Sequence, residues 1–328
     1  MNKFVVAKTP MRITLFGGGT DYYDYFKTYG GETLGSSINF YSYVIVKKLS
    51  IFDNFNFRIT YTKKEQVKSY KHITHPVFKA AIKYTNLINE RLEILHFSDL
   101  PSFSGIGSSS AFIISLLNAL YNYKGIKITK EELANKAIYF ERTILNEEGG
   151  YQDQLTCTYG GICNFHYSKK KITKKKINKE KEIENLINSN FLLLYSNISR
   201  DGTKIARKQK KIDKQKLTTH FQLLVKKSLK IMNLKNLHEL GILLDKSWKD
   251  KKKLAHTSNK KIDKIYADAL RHGAIGGKLL GAGGGGFFLF LVLKKKQNFF
   301  KKKMKNFKIS NFKVDNYGAT VKKFKNLI

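Results

Sequence analysis

GIGSSSAF, residues 105–112, sets two glycines and three serines directly before the apolar run IISLLNALYNY (113–123). Residues 111–123 are apolar nearly all round, which predicts a helix buried on every side. The flexible, polar octet therefore falls where that helix begins. One serine would be enough to cap a helix N-terminus. Three serines behind two glycines suit a different purpose. Successive backbone N–H groups in a glycine loop, aimed along the positive end of a helix dipole, make an anion pocket. Gly105 and Gly107, with Ile106 between them, permit close backbone approach. Ser108, Ser109 and Ser110 add hydroxyls for a phosphate or a hydrated magnesium ion.

Two other phosphate patterns do not account for the loop. No GxxxxGK[ST] run is present, which excludes a Walker-A protein. The spacing GxGxxG occurs at Gly281, Gly283 and Gly286, but it opens the strand-like run FFLFLVL (287–293), whereas a dinucleotide fingerprint opens a helix. That loop is either a tight turn letting two backbones pack or, as we favour, one that approaches a ligand or the 105–110 loop.

Around these loops the chain alternates strand and helix patterns. FVVAKTPMRITLF (4–16), residues 38–48 and 55–62, LEILHFSDLP (92–101), YGGICNFHY (159–167) and FLLLYSN (191–197) read as strands. Helical spacing covers 75–88, 128–146, most of 203–255, 260–272 and 297–307, and a last strand falls near 311–322. The 128–146 helix opens with a capping box, Thr129 and Glu132. The lysine-rich stretch 168–184 reads as an exposed hairpin or connection. A length of 328 residues suggests about two domains.

Net charge of +36 invites a nucleic-acid reading, yet only seven of the 61 basic residues are Arg. Nucleic-acid readers use Arg for bidentate and stacked contacts, and aromatics do not interleave with the lysine runs at 168–184 as a stacking surface requires. We read a solvated lysine surface and expect no nucleic-acid partner; a basic nucleic-acid-binding protein is the alternative of a different class. The longest apolar run has seven residues, far short of a membrane span, and no secretory leader is visible, so a cytoplasmic chain with no membrane partner is expected. Cys157 and Cys163 read as reduced core residues.

Four charged residues stand out from their surroundings. At 100° per residue Glu141 falls within the stripe of Leu133, Ala137, Ile144 and Leu145. A buried carboxylate needs a partner or a metal, and Mg²⁺ takes one or two carboxylates plus phosphate oxygens and waters. Glu141 with Ser109 is therefore a candidate magnesium site, the alternative being a pair with a buried Arg. GGYQDQ (149–154) places Asp153 just past a glycine turn, as a local cap or as the anionic partner that Arg12, in an apolar strand, requires. Asp21 follows three glycines in the N-terminal segment.

Together these segments resemble the GHMP kinase superfamily. TPMRITLFGGGTDY (9–22), LPSFSGIGSSSAF (100–112) and KLLGAGGGGF (278–287) resemble its three motifs in order, and ERTILNEEGGYQDQLTCTYGG (141–161) resembles its magnesium-Glu and catalytic-Asp segment. Within the superfamily, the first motif with its continuation to Val46, GGYQDQ and SNISR (196–200) are most similar to the heptose 7-phosphate kinases and the related fucokinase domains. Pro101 and Ile106 depart from the usual second motif.

The resemblance implies an α/β fold of two domains, 1–185 and 186–328, with the active site in the cleft between them. It implies ATP and Mg²⁺ as cofactors. Residues 105–110 would hold the triphosphate, Ser109 and Glu141 the Mg²⁺. Asp153 would accept or orient the hydroxyl proton, and Arg12 would stabilise that Asp and the transferring group. Asp21, with Gly18, Gly19 and Thr20, would meet sugar hydroxyls. Gly283 and Gly284 would close the substrate side, and Arg200 would meet an anionic group such as a 7-phosphate. The expected reaction is phosphorylation of the anomeric hydroxyl of D-glycero-D-manno-heptose 7-phosphate to the 1,7-bisphosphate, for nucleotide-heptose and surface polysaccharide. Fucose- or galactose-type kinases and a catalytically dead sensor are alternatives. The chain is expected to be a monomer or homodimer.

Overall fold

A computed structural model describes residues 3–101, 104–198, 214–255 and 257–325. Two antiparallel-rich sheets organise it. The first begins with β1 (Lys3–Phe16) and β2 (Gly31–Lys48), joined through the short helix α1 (Tyr23–Tyr29). β3 (Phe57–Thr60), β4 (Lys64–Val67) and β5 (Leu92–Ser98) extend it, with α2 (Pro76–Tyr84) between β4 and β5. The long β2 serves two neighbours. Its second half pairs β5, while Gly31–Ser36 pair β6 (Ile162–Tyr167), which carries the hairpin partner β7 (Ile172–Lys175). The glycines and serines of GETLGSS hid the first half of β2 from a propensity reading, yet all of 31–38 are buried. Tertiary pairing overrides weak β propensity there.

Against one face of β1 and β2 lies α3 (Ser108–Tyr123), buried from Ser110 to Tyr123 as its composition requires. Next come α4 (Lys130–Tyr139) and a π-helical turn, Phe140–Ile144. The expected capping box is formed: Thr129 accepts the Glu132 backbone N–H, and the Glu132 side chain accepts the Thr129 N–H. The π turn changes the stripe phase. Leu133 and Ala137 are buried as expected, but Ile144 is 36% exposed, because the wider turn rotates later side chains away from a 100° count. α5 (Gln152–Tyr159) was not anticipated; Asp153 stands in its first turn.

The second sheet, ordered β11-β8-β10-β9, consists of β8 (Phe191–Tyr195), β9 (Gly276–Leu279), β10 (Phe287–Leu291) and β11 (Lys308–Ser310). β10 is central and every one of its residues is buried, which explains its unbroken apolar letters. Helices α6 (Glu180–Asn190), α7 (Lys214–Asn233), α8 (Leu237–Ala255), α9 (Lys260–Arg271) and α10 (Gln297–Lys303) complete the structure, α8 packing on β9 and α7 on β2 and α8. The last strand, β12 (Thr320–Lys325), returns to the first sheet beside β1. The two sheets mark two halves of the structure; residues 185 and 186 lie within α6, and β12 brings the end of the chain back beside β1. Cys157 and Cys163 are buried and free. Among the described residues no helix is long and apolar enough to cross a membrane.

Candidate active site

A cleft of about 240 Å³ opens between the two halves. Its walls carry the first glycine turn (Gly17–Gly19), the 105–110 loop, the 141–153 segment and, from the other half, Ser247, Lys251, Lys278, Gly281 and Ala282.

The 105–110 loop is tied to β1 by one backbone bond, from the Arg12 N–H to the Ile106 carbonyl at 2.9 Å. Gly105 (φ +84°) and Gly107 (φ +73°) adopt the left-handed region that favours glycine. A Cβ on Gly107 would stand 3.0 Å from Arg12 Cγ and 3.3 Å from Cys157 Sγ. Gly107 is the N-cap of α3, and no side chain caps that end, so the helix presents its first N–H groups to the cleft. This is the arrangement that receives a phosphate.

Arg12 lies under this loop with its guanidinium buried. Nε and Nη2 donate to the two carboxylate oxygens of Asp153 at 2.9 and 2.7 Å, and Nη1 donates to the Gly105 carbonyl at 2.7 Å. Burial works to lower the Arg12 pKa, but the Asp153 charge more than offsets it, so the guanidinium stays firmly cationic. Asp153, 26% exposed, keeps access to the cleft. Arg12 thus has its anionic partner in Asp153.

Glu141 sits on the π turn, 2% exposed. Its Oε2 accepts from Ser110 Oγ at 3.2 Å and lies 3.7 Å from Arg142 Nη2, while Oε1 is buried with no hydrogen-bond partner. Burial, only partly relieved by Arg142, pushes its pKa up to about 7. The serine joined to Glu141 is thus Ser110, itself held by Gln154 Nε2 at 3.2 Å. Ser109 lines the same cleft, more exposed. An orphaned buried carboxylate oxygen facing a loop suited to phosphate meets the donor needs of Mg²⁺, which completes its shell with phosphate oxygens and water. No cluster of three or more acidic, His or Cys side chains capable of holding a metal exists among the described residues.

Several expected contacts stand elsewhere. Asp21 is wholly buried and does not line the cleft. Its Oδ1 accepts the Gly19 N–H and its Oδ2 the Gln152 N–H, both at 3.0 Å, so it caps α5 from a distant part of the chain. A Cβ on Gly150 would fall 1.9 Å from Asp21 Oδ2, which explains the glycine. Thr20, 1% exposed, spends its hydroxyl on the Gly17 carbonyl and the Glu32 backbone. Gly18 and Gly19 do line the cleft. Gly283 and Gly284 do not: a Cβ on Gly283 would lie 2.4 Å from Thr257 Cβ, and the Gly284 N–H donates to the Thr257 carbonyl. Gly286 packs on the Ser104 carbonyl, so this loop abuts the segment leading into 105–110. Arg200 lies outside the described residues.

Sequence reading overlooked Lys278, Gln152 and Arg142. Lys278 opened the quoted third motif, and the logic applied to Arg12, a cation in an apolar strand, applied to it equally. Gln152 accepts the Thr14 hydroxyl at 2.8 Å beside Asp153. Arg142 donates to the carbonyls of Glu147 and Gly150, both at 2.9 Å, and so shapes the turn before α5.

A cleft with a bare helix start on one side and a carboxylate gripped by a guanidinium beside it has the parts that a phosphotransferase requires. Residues 73–161 match the family described as the GHMP kinases N terminal domain, and residues 225–309 match GHMP kinases C terminal. A D-glycero-alpha-D-manno-heptose 7-phosphate kinase of Campylobacter jejuni is 30% identical over 301 residues, 86% of this chain and 87% of that protein. The chain belongs to the GHMP kinases and is an ATP-dependent kinase. Its fold superposes on a D-glycero-D-manno-heptose 1-phosphate kinase from Bacteroides thetaiotaomicron with a TM-score of 0.78 at 21% identity, covering 98% of this chain and 100% of that one. Lactococcus lactis galactokinase complexed with galactose gives a TM-score of 0.74 at 16% identity, over 98% and 95% of the two chains.

Proposed function

We propose that this chain is a sugar kinase that moves the γ-phosphoryl group of ATP to the anomeric hydroxyl of D-glycero-D-manno-heptose 7-phosphate, yielding the 1,7-bisphosphate for nucleotide-heptose and surface polysaccharide. The observation that carries the catalytic part is the Arg12–Asp153 pair at the cleft beside the uncapped start of α3. The acceptor rests on the similarity to the Campylobacter jejuni enzyme.

Phosphoryl transfer passes through a loose transition state, so positioning and charge neutralisation carry most of the rate. The N–H groups at Gly107–Ser110 hold the triphosphate. Asp153, oriented by Arg12, accepts a hydrogen bond from the attacking hydroxyl and aims that oxygen at phosphorus. Arg12 shares its charge with the developing negative charge nearby. Glu141 and a serine of the loop would hold Mg²⁺, which supplies charge neutralisation on the phosphates. Gly18 and Gly19 give the acceptor a wall without side chains. The setting we infer is the cytoplasm.

ATP turnover measured against heptose 7-phosphate, fucose, galactose and mannose tests this reading. Selective turnover of heptose 7-phosphate is expected. Preference for fucose or galactose would move the acceptor, and no turnover on any of the four would remove the sugar-kinase reading.

A further inference from the structure

The cleft's carboxylates are confined to one side. Glu141, Glu147, Glu148 and Asp153 all come from one segment of the first half, whereas Lys251 and Lys278 come from the second. Two of the cleft's cations are committed: Arg12 to Asp153 and the Gly105 carbonyl, and Arg142 to backbone carbonyls beside Glu141. Lys251 Nζ donates to the Gly281 carbonyl. Lys278 differs. It is 5% exposed, and its Nζ meets the Leu15 carbonyl at 3.0 Å without any carboxylate partner among the described residues.

An ammonium removed from water with one neutral acceptor is costly. Burial, followed by the Arg12 charge, lowers the Lys278 pKa to about 8. Two of its three N–H donors are left for a ligand. Through Leu15 the ammonium reaches the end of β1, where the first glycine turn starts, and a Cβ on Gly19 in that turn would meet nothing within 4 Å. Lys278 and the first glycine turn thus line one cleft, and the buried ammonium has no carboxylate partner there among the described residues.

We propose that Lys278 is an anion-receiving group of this cleft, its ammonium binding a phosphoryl oxygen of a phosphate monoester. Two sources share that chemistry, the phosphate borne by the acceptor and the group in transfer; the choice between them rests on the kinase reading above. The ligand's charge replaces the solvation that burial removed from the ammonium.

Inorganic phosphate is the probe. Calorimetric titration of the wild-type chain should be compared with Lys278→Gln, which retains a donor for the Leu15 carbonyl, and with Lys278→Met. Both variants should bind phosphate about tenfold or more weakly, the range of one charge-assisted hydrogen bond, with thermal melting confirming that they fold. In the wild-type chain phosphate should also slow acetylation of Lys278 by acetic anhydride, read by mass spectrometry, a measurement that needs no variant. Equal phosphate affinity in folded variants, or labelling that phosphate leaves unchanged, overturns the assignment. Turnover then separates the sources. If the acceptor's phosphate is bound, the preference in kcat/KM for heptose 7-phosphate over the unphosphorylated heptose collapses in Lys278→Gln. If the group in transfer is bound, kcat falls for both sugars. A wild-type chain that phosphorylates no sugar would refute the kinase reading, while the phosphate titration would still decide for or against Lys278.

Discussion

Replacing Asp21 with Asn separates two roles that the same letter could serve. In the structure its two carboxylate oxygens accept the N–H groups of Gly19 and Gln152, both at 3.0 Å, and the side chain is entirely buried. An Asn of the same shape offers one acceptor and one NH₂, so one backbone N–H must face another donor. An unsatisfied buried group costs about 1–3 kcal/mol, which lowers the melting temperature by several degrees in a chain this large. Gln152 opens α5 and Asp153 follows it, so the disturbed cap also moves the catalytic carboxylate; a displacement of about 1 Å costs about 10²-fold in rate. Melting by circular dichroism and steady-state ATP turnover read both effects. We expect lower stability and lower kcat with little change in KM for the sugar. Burial also raises the Asp21 pKa, only partly offset by the Gln152 N–H. The folded chain then holds this proton more tightly than the unfolded one, and the group's contribution to stability declines as pH rises from the ordinary carboxylate range through the raised value. That slope should vanish in the Asn variant. Unchanged melting with a tenfold rise in sugar KM would refute the capping role and restore a direct contact with the acceptor.

Asp153→Asn should lower kcat by about 10²–10⁴ and stability by about 2–3 kcal/mol, below the full cost of breaking a buried pair because Asp153 is 26% exposed; near-normal turnover would dismiss its role. Glu141→Gln should raise the Mg²⁺ concentration needed for half-maximal rate, and an unaltered magnesium titration would mean that Glu141 only braces Ser110. His96, whose Nε2 lies 3.1 Å from Ser42 Oγ and whose ring packs against Phe112, has its pKa lowered to about 4, first by burial and then by His75. Between about 6.5 and about 4 the unfolded chain binds a proton there that the folded chain refuses, so stability falls as pH falls through that window, by up to ~1.4 kcal/mol per pH unit. Urea unfolding of His96→Gln at pH 7 and 4.5 should show a shallower loss than wild type; an identical loss would exclude His96 as a source.

Residues whose types conflict with their surroundings were the most legible. Arg12 in an apolar strand announced a buried anionic partner, and a carboxylate in an apolar stripe announced Glu141. The apolar letters of 111–123 and 287–293 foretold a buried helix and a strand, and the structure sets that strand at the centre of its sheet. Features set by non-local pairing were not legible. Nothing in GETLGSS marks it as half of an 18-residue strand, because its pairing with β6 comes from a segment more than 120 residues away. Likewise α5 has weak amphipathic patterning of its own; its start is fixed by a carboxylate from position 21. The π turn at 140–144 is invisible to a count at 100° per residue, which is why Glu141 was placed inward correctly and Ile144 was not.

The glycine-rich motifs show why letters alone misassign neighbours. Each motif mixes glycines that face the cleft with glycines demanded by another backbone. Gly17, Gly18 and Gly19 all line the cleft, yet a Cβ on Gly17 would also lie 2.0 Å from the Glu32 carbonyl oxygen, so that glycine answers to both demands. Gly281 lines it, whereas Gly283, Gly285 and Gly286 would collide with Thr257, Ile198 and Ser104. A run such as GAGGGG therefore holds a loop of one half against the entrance of the 105–110 loop in the other, and only its first glycine looks onto the ligand space. The polar residues follow the same division. Asp21 and Thr20 maintain the turn from beneath, while Lys278, preceding the run and hidden among apolar letters, is the side chain that meets the cleft.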